Sequence, residues 1–184
     1  MKPGVRALGV AESFREDDST LAGVVVRANR VVDGLSFSRC TVGGTDVTES
    51  VVDLYERLGR EDVRYVVVSG IALAWYNILD MRELARRVDR PVLSVTYEAS
   101  PGLEAAIREV FSGEDRDERL EIYRRQPGRD PVVVNGETVY VRAVGVDPTE
   151  ARDVVRAFTP EGGRPEPLRV ARFAARAGDA LRRD

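Results

Sequence analysis

A near-continuous apolar run spans residues 63–68, where Val63, Tyr65, Val66, Val67 and Val68 are interrupted only by Arg64. Such a run, rich in β-branched and aromatic residues, predicts a central strand buried on both faces. Ser69-Gly70 ends it. Residues 71–78 stay apolar without strand alternation and lead into a helix near 79–88, with Ile78, Met81, Leu84, Ala85 and Val88 inward. Upstream, apolar stretches at 5–10, 21–27 and 31–42 predict three strands joined by hairpins, the third alternating through Leu35 and Phe37. Val47, Val51, Leu54, Tyr55 and Leu58 repeat at helical spacing over 46–58, and Gly59 suits the helix C-cap.

Downstream, residues 91–97 predict a fifth strand, parallel to the fourth because a helix separates them. Helices are expected over 103–111 and 115–125. Asn135-Gly136 between 131–134 and 138–144 has the turn chemistry of a tight hairpin. Asp147-Pro148 opens a helix reaching about residue 158, with proline at its first position. The last helix, 168–181, sets Val170, Phe173, Ala174, Ala177 and Leu181 against a stripe of Arg169, Arg172, Arg176 and Arg183. Three hairpin-linked strands, then a helix, a strand, a helix and a strand, make an α/β chain on the ribonuclease H-like plan. The first strand is expected centrally, beside the fourth.

Composition narrows the chemistry. The 184 residues are 43% hydrophobic, which suits one domain over 1–184 with a proper core. No apolar run approaches the ~20 residues that span a bilayer. The N-terminal Met1-Lys2-Pro3-Gly4 lacks the apolar stretch of a signal peptide, so a cytoplasmic protein with no membrane partner is expected. Cys40 is the only cysteine and there is no histidine. That excludes disulfides, imidazole-based acid–base catalysis and imidazole metal sites. Any metal must be a hard, oxygen-ligated ion. The net charge of −3 offers no global field for nucleic acid.

In sheets covered by helices, ligands sit beyond the carboxyl ends of the strands. The segment 69–80 is therefore the expected functional region, and its strand tip carries Ser69 rather than a carboxylate. Trp75 and Tyr76 lie just past the tip, where they would either stack on an extruded base or pack at the rim. Asn77 and Asp80, three apart, would share one helical face; N-capping is their plainer role. Asp46-x-x-Glu49 ahead of an apolar helix has the form of a capping box. Cys40 reads as a small buried hydrophobe. The arginine stripe is either a solvated face or a phosphate track.

Several stretches together resemble the archaeal DUF99 (UPF0215) family, relatives of endonuclease V described as endonuclease dU. They are Val5-Arg6-Ala7-Leu8-Gly9-Val10, Leu21-Ala22-Gly23-Val24-Val25-Val26-Arg27, Asp33-Gly34 and Thr41-Val42-Gly43-Gly44-Thr45-Asp46-Val47-Thr48-Glu49. Gly70-Ile71 with Tyr76-Asn77-Ile78-Leu79-Asp80, and Pro165-Glu166-Pro167-Leu168-Arg169-Val170-Ala171, complete them. The resemblance implies Mg²⁺- or Mn²⁺-dependent hydrolysis of DNA with a deaminated base. Aspartates at the ends of the first and fourth strands would hold the ions, because two ions ~4 Å apart clamp the attacking and leaving oxygens. Here the matching positions are Ala11-Glu12 and Ser69, and a hydroxyl lacks the charge such an ion requires. On this resemblance Glu12, Asp46 and Glu49 are the catalytic candidates, with Glu12 and Asp46 as metal ligands. Trp75, Tyr76, Asn77, Asp80, Arg169 and Arg172 would contact DNA. The alternative is a catalytically silent relative binding nucleic acid or a protein partner.

Overall fold

The structure, a computed structural model, describes residues 1–182; Arg183 of the expected arginine stripe lies outside them. Strands β1 (Arg6–Arg15), β2 (Asp18–Arg27) and β3 (Val32–Thr41) form an antiparallel meander, followed by helix α1 (Val47–Leu58). Strand β4 (Val63–Val68) then pairs with β1 in parallel, from Ala7↔Tyr65 to Val10↔Val68. After a two-residue-per-strand hairpin, β5 (Ala72–Leu73) and β6 (Asn77–Ile78), come α2 (Met81–Val88) and β7 (Val92–Thr96), parallel to β4. Helices α3 (Glu104–Val110) and α4 (Gly113–Arg124) precede the hairpin β8 (Asp130–Val134) and β9 (Glu137–Val144). Helices α5 (Pro148–Ala157) and α6 (Glu166–Leu181) finish the described chain. The main sheet runs β3-β2-β1-β4-β7-β9-β8. This is the ribonuclease H-like arrangement expected from the element order, extended at one edge by the β8–β9 hairpin.

Strand alternation divides the core into two layers. Val66 and Val68 of β4 face α1 and α2, packing with Leu8, Val10, Val51, Leu54 and Leu84. Tyr65 and Val67 face the other side, with Leu93 of β7 and with Val154, Val155 and Leu168 of α5 and α6. Residues alternate sides along a strand, so one run of valines closes both layers. Helix α6 lies across β1 closely enough that a Cβ at Gly9 would stand 2.3 Å from the Pro167 backbone.

Three expectations need correction. Strand β1 does not stop at Val10 but continues to Arg15, because β2 keeps pairing with it as far as Arg15↔Asp18. Residues 72–78 form a small hairpin, too short to show alternation in sequence. Helix α6 buries Pro167, Leu168, Ala171, Ala175 and Asp179, whereas Phe173 and Leu181 are 57% and 79% exposed. The close crossing over Gly9 selects small residues for the contact face and turns the large ones outward. Among the described residues, no helix is long and apolar enough to cross a membrane.

Candidate functional site

Parallel pairing of β1 with β4 ends at Val10↔Val68, and the Ser69 amide donates to the Val10 carbonyl at 3.1 Å. Ala11, Glu12 and Ser69 therefore meet at adjacent strand positions, as the sequence implied. Their side chains do not share one site. Ala11 is buried against Val24, Val26 and Ala171 on the α6 side. Glu12 projects to the opposite face, where its carboxylate accepts from the Ser19 hydroxyl at 2.8 Å. Neighbouring strand residues face opposite ways, so Glu12 does not occupy the space an aspartate at position 11 would fill. Cys40 shares the Glu12 side. Burial first, then the Asp46 and Glu12 carboxylates, pushes its thiol up to about 12.

Asp46 precedes α1, yet its carboxylate makes no cap bond. It accepts instead from the Thr41 amide (3.1 Å), the Thr41 hydroxyl (2.9 Å) and the Asn77 side-chain amide (2.7 Å). Glu49 also leaves the expected capping box, forming a bidentate pair with Arg87 at 2.9 and 3.1 Å. That hydrogen-bonded guanidinium lowers its carboxyl below the usual range. The cap is supplied from elsewhere: fully buried Asn77 accepts from the Val47 amide at 3.0 Å and donates to the Thr41 carbonyl at 2.9 Å. Asn77 and Asp80 do not share a helical face, since Asn77 lies in β6. Asp80 caps α2, accepting from the Arg82 and Glu83 amides, and pairs with Arg125 at 2.7 Å.

The implied divalent metal fails a test of fit. Among the described residues, no three Asp, Glu, His or Cys side chains gather to hold an ion. Asp46, Glu49 and Asp80 are committed to separate hydrogen bonds. The position on the α6 side where the first aspartate is expected is closed by Ala11 packed against Ala171.

The β5–β6 turn is unusual. Ala74, Trp75 and Tyr76 all have left-handed backbones, with φ of 44°, 55° and 60°. Each such residue costs roughly 1–2 kcal/mol, and runs of them persist only where surroundings impose them. Buried Arg119 of α4 does so. It donates to the Tyr76 carbonyl (3.2 Å), to the Gly43 and Gly44 carbonyls, and lies 4.0 Å over the Phe111 ring. The Gly43 amide donates to the Ala74 carbonyl at 2.7 Å. A Cβ at Gly43 would stand 2.8 Å from the Trp75 ring. The result is a fixed turn that presents Trp75 half exposed, its ring 5.9 Å from Tyr76 and 5.5 Å from Phe111. Sequence reading singled out Trp75 and Tyr76 as candidates but not Arg119, which holds their turn and lies inside a mostly charged helix with no periodic signal.

Of the α6 arginines, Arg169 pairs with Glu166 at 2.5 Å and stacks on Phe173. Arg172 is exposed, with no carboxylate partner among the described residues.

The family model for Endonuclease dU matches residues 3–178. The chain belongs to the endonuclease dU family. A UPF0215 protein of Pyrobaculum calidifontis is 36% identical over 172 residues, covering 91% of this family member and 93% of the relative. A crystal structure of a protein of unknown function from Archaeoglobus fulgidus superposes with a TM-score of 0.84 at 24% identity, covering 94% of this chain and 97% of that one. Ciona intestinalis Endonuclease V, solved with a 24mer DNA containing an inosine, superposes with a TM-score of 0.64 at 10% identity, covering 96% and 87%. These structural likenesses establish the ribonuclease H-like fold.

Proposed function

We propose that this endonuclease dU family member recognises DNA carrying a deaminated base at the carboxyl ends of β1, β4 and β7, and holds it without metal-dependent cutting. One observation carries this reading: Ala11 is sealed under Ala171 while Glu12 turns to the opposite face, with Ser69 at the neighbouring strand end. Two-metal hydrolysis needs carboxylates converging from adjacent strand ends, and here the two positions that would supply them are Ala11 and Ser69. The family model and the DNA-bound Endonuclease V neighbour support a DNA partner. Trp75, on its braced turn, offers an aromatic face of the kind that stacks on an unpaired or extruded base. A second reading, metal-dependent cleavage built on Glu12 and Asp46, draws support from the Endonuclease dU family model, which matches residues 3–178.

Two measurements separate the readings. Fluorescence anisotropy should show tighter binding to a duplex with one deoxyuridine than to its thymidine parent, and Trp75→Ala should remove the difference. Equal binding to both duplexes would sink the recognition. Incubation with Mn²⁺ should leave the deoxyuridine strand intact. Nicking that depends on Mn²⁺ and disappears in Glu12→Ala would establish the second reading instead.

A further inference from the structure

A cavity of about 490 Å³ lies over the carboxyl ends of β4 and β7, next to Ser69, and four arginines converge on it: Arg129, Arg142, Arg164 and Arg172. Its volume falls in the range of small-molecule sites, roughly 300–1,000 Å³. Glu98 is its one carboxylate. The guanidinium groups are positioned without being neutralised. Arg129 donates to the Ser100 carbonyl at 2.8 Å and the Glu98 carbonyl at 3.3 Å, and lies over the Tyr140 ring at 4.8 Å. Arg142 donates to the Pro127 carbonyl and is half buried, which lowers its pKa by desolvation. Arg164 lies 4.0 Å over the ring of Tyr97. None of the four has a carboxylate partner among the described residues, whereas Arg6, Arg27 and Arg60 all surround Asp33.

Tyr97 adds a second observation. Tyr97 lines this cavity, and its buried hydroxyl has no hydrogen-bond partner among the described residues. A buried polar group without a partner costs free energy that a ligand's hydrogen bond would recover. Unneutralised arginines beside a phenol donor suit a tetrahedral, multiply charged oxyanion, to which guanidinium binds through paired N–H groups.

We propose that this four-arginine cavity binds the phosphate group of a nucleotide, with no divalent ion required. The proposal rests on the nucleic-acid reading above and names the phosphate contacts that reading lacked. It also accounts for the strand-end position of Ser69: beside four cations, a hydroxyl is compatible with a phosphate, and a carboxylate would repel it. The phosphate is available from a free mononucleotide or from a DNA strand, so both are probed.

The test is calorimetric titration of the full chain in EDTA with dUMP, deoxyuridine, inorganic phosphate and a deoxyuridine-containing single strand. dUMP or the strand should bind, deoxyuridine should bind at least tenfold more weakly than dUMP, and rising salt should weaken binding. Binding of dUMP alone identifies a free nucleotide as the ligand, and binding of the strand alone identifies the DNA chain. Arg164→Ala/Arg172→Ala should lose at least tenfold, and the single exposed substitution Arg172→Glu should lose as much without disturbing the fold. Arg116→Ala, on α4 outside the cavity, should stay within twofold. Failure of dUMP and the strand to bind, equal losses in Arg116→Ala, or an absolute need for Mg²⁺ would overturn the cavity assignment. Deoxyuridine duplex bound equally by wild type and the arginine variants would remove the cavity and leave base recognition standing. Arginine-dependent dUMP binding without preference for the deoxyuridine duplex would do the reverse.

Discussion

At the scale of single residues, burial decides whether a candidate is scaffold or surface. Asn77 had the marks of a ligand contact in sequence, but its three hydrogen bonds close the start of α1 and fasten Thr41 and Asp46. Asn77→Ala would leave the buried Val47 amide unpaired, at about 1–3 kcal/mol, and would take one donor each from the Asp46 carboxylate and from the Thr41 carbonyl, which keeps the Gly44 amide, at about 0.5–1.5 kcal/mol apiece. Urea unfolding should therefore show a loss of about 2–4 kcal/mol; a loss below about 0.5 kcal/mol would mean that α1 is capped some other way. Gly9 makes a similar demand through space. Gly9→Ala would drive a methyl into the Pro167 backbone, and the cost should exceed the ~1–3 kcal/mol usual for overpacking, since backbone cannot swing aside. The sequence announced the residue types at these positions and not their partners, which lie 30 or more residues away. Glu12 shows the limit most clearly. Its place beside strand four was legible, but which sheet face it took depended on the pairing of β1 with β2.

At the scale of elements, long periodic segments were readable and short ones were not. The β4 valines, the α1 face and the Asn135-Gly136 turn, with φ of 51° and 83°, all follow from local pattern. The β5–β6 hairpin does not, because two residues per strand carry no period and its turn is imposed from outside by Arg119. The face of α6 was misjudged because hydrophobicity pointed to Phe173 and Leu181 while close packing demanded Ala171 and Ala175. The imposed turn has testable consequences. Ala74→Gly removes a left-handed strain of ~1–2 kcal/mol and adds about 0.5–1 kcal/mol of unfolded-chain entropy. Because Ala74 is buried in the core, the lost methyl burial of about 0.8 kcal/mol offsets the remainder, and the change should stay within about 1 kcal/mol of neutral. Arg119→Met keeps much of the buried bulk but abandons the Gly43, Gly44 and Tyr76 carbonyls. It should cost about 1.5–3 kcal/mol. Trp75 is the only tryptophan, so its emission should shift to longer wavelength as the turn loosens. An unchanged spectrum in a folded Arg119→Met protein would show that the turn holds itself.

At the scale of the whole molecule, charge is segregated by use. Several arginines far from the strand ends pair with carboxylates: Arg27, then Arg6 and Arg60, hydrogen-bond Asp33 and hold its carboxyl well below the usual range. Asp62, Glu83, Glu104 and Glu166 are lowered in the same way by their arginine partners. A carboxyl whose folded pKa lies below its unfolded value of about 3.9–4.3 stabilises the fold above that value. The contribution is lost as pH falls towards the folded pKa. Burial raises the Cys40 thiol and Tyr97 phenol to about 12. Their contribution is complete below the unfolded values, about 8.5 for a thiol and 10 for a phenol, and is lost as pH rises beyond them. With no histidine in the chain, no side chain with an ordinary pKa titrates in the middle. The melting temperature should therefore be flat from about pH 5.5 to 8, bounded by the unfolded carboxyl and thiol values. It should fall on both sides. Asp33→Asn should flatten the acid limb and leave the alkaline limb unchanged, while Cys40→Ala should do the opposite. A melting temperature that changes steeply between pH 6 and 7.5 would show that a group outside these networks controls the fold. If Asp33→Asn left the acid limb unaltered, the Asp33 cluster would be marked as surface charge rather than a fastening between β1, β2 and the start of β4.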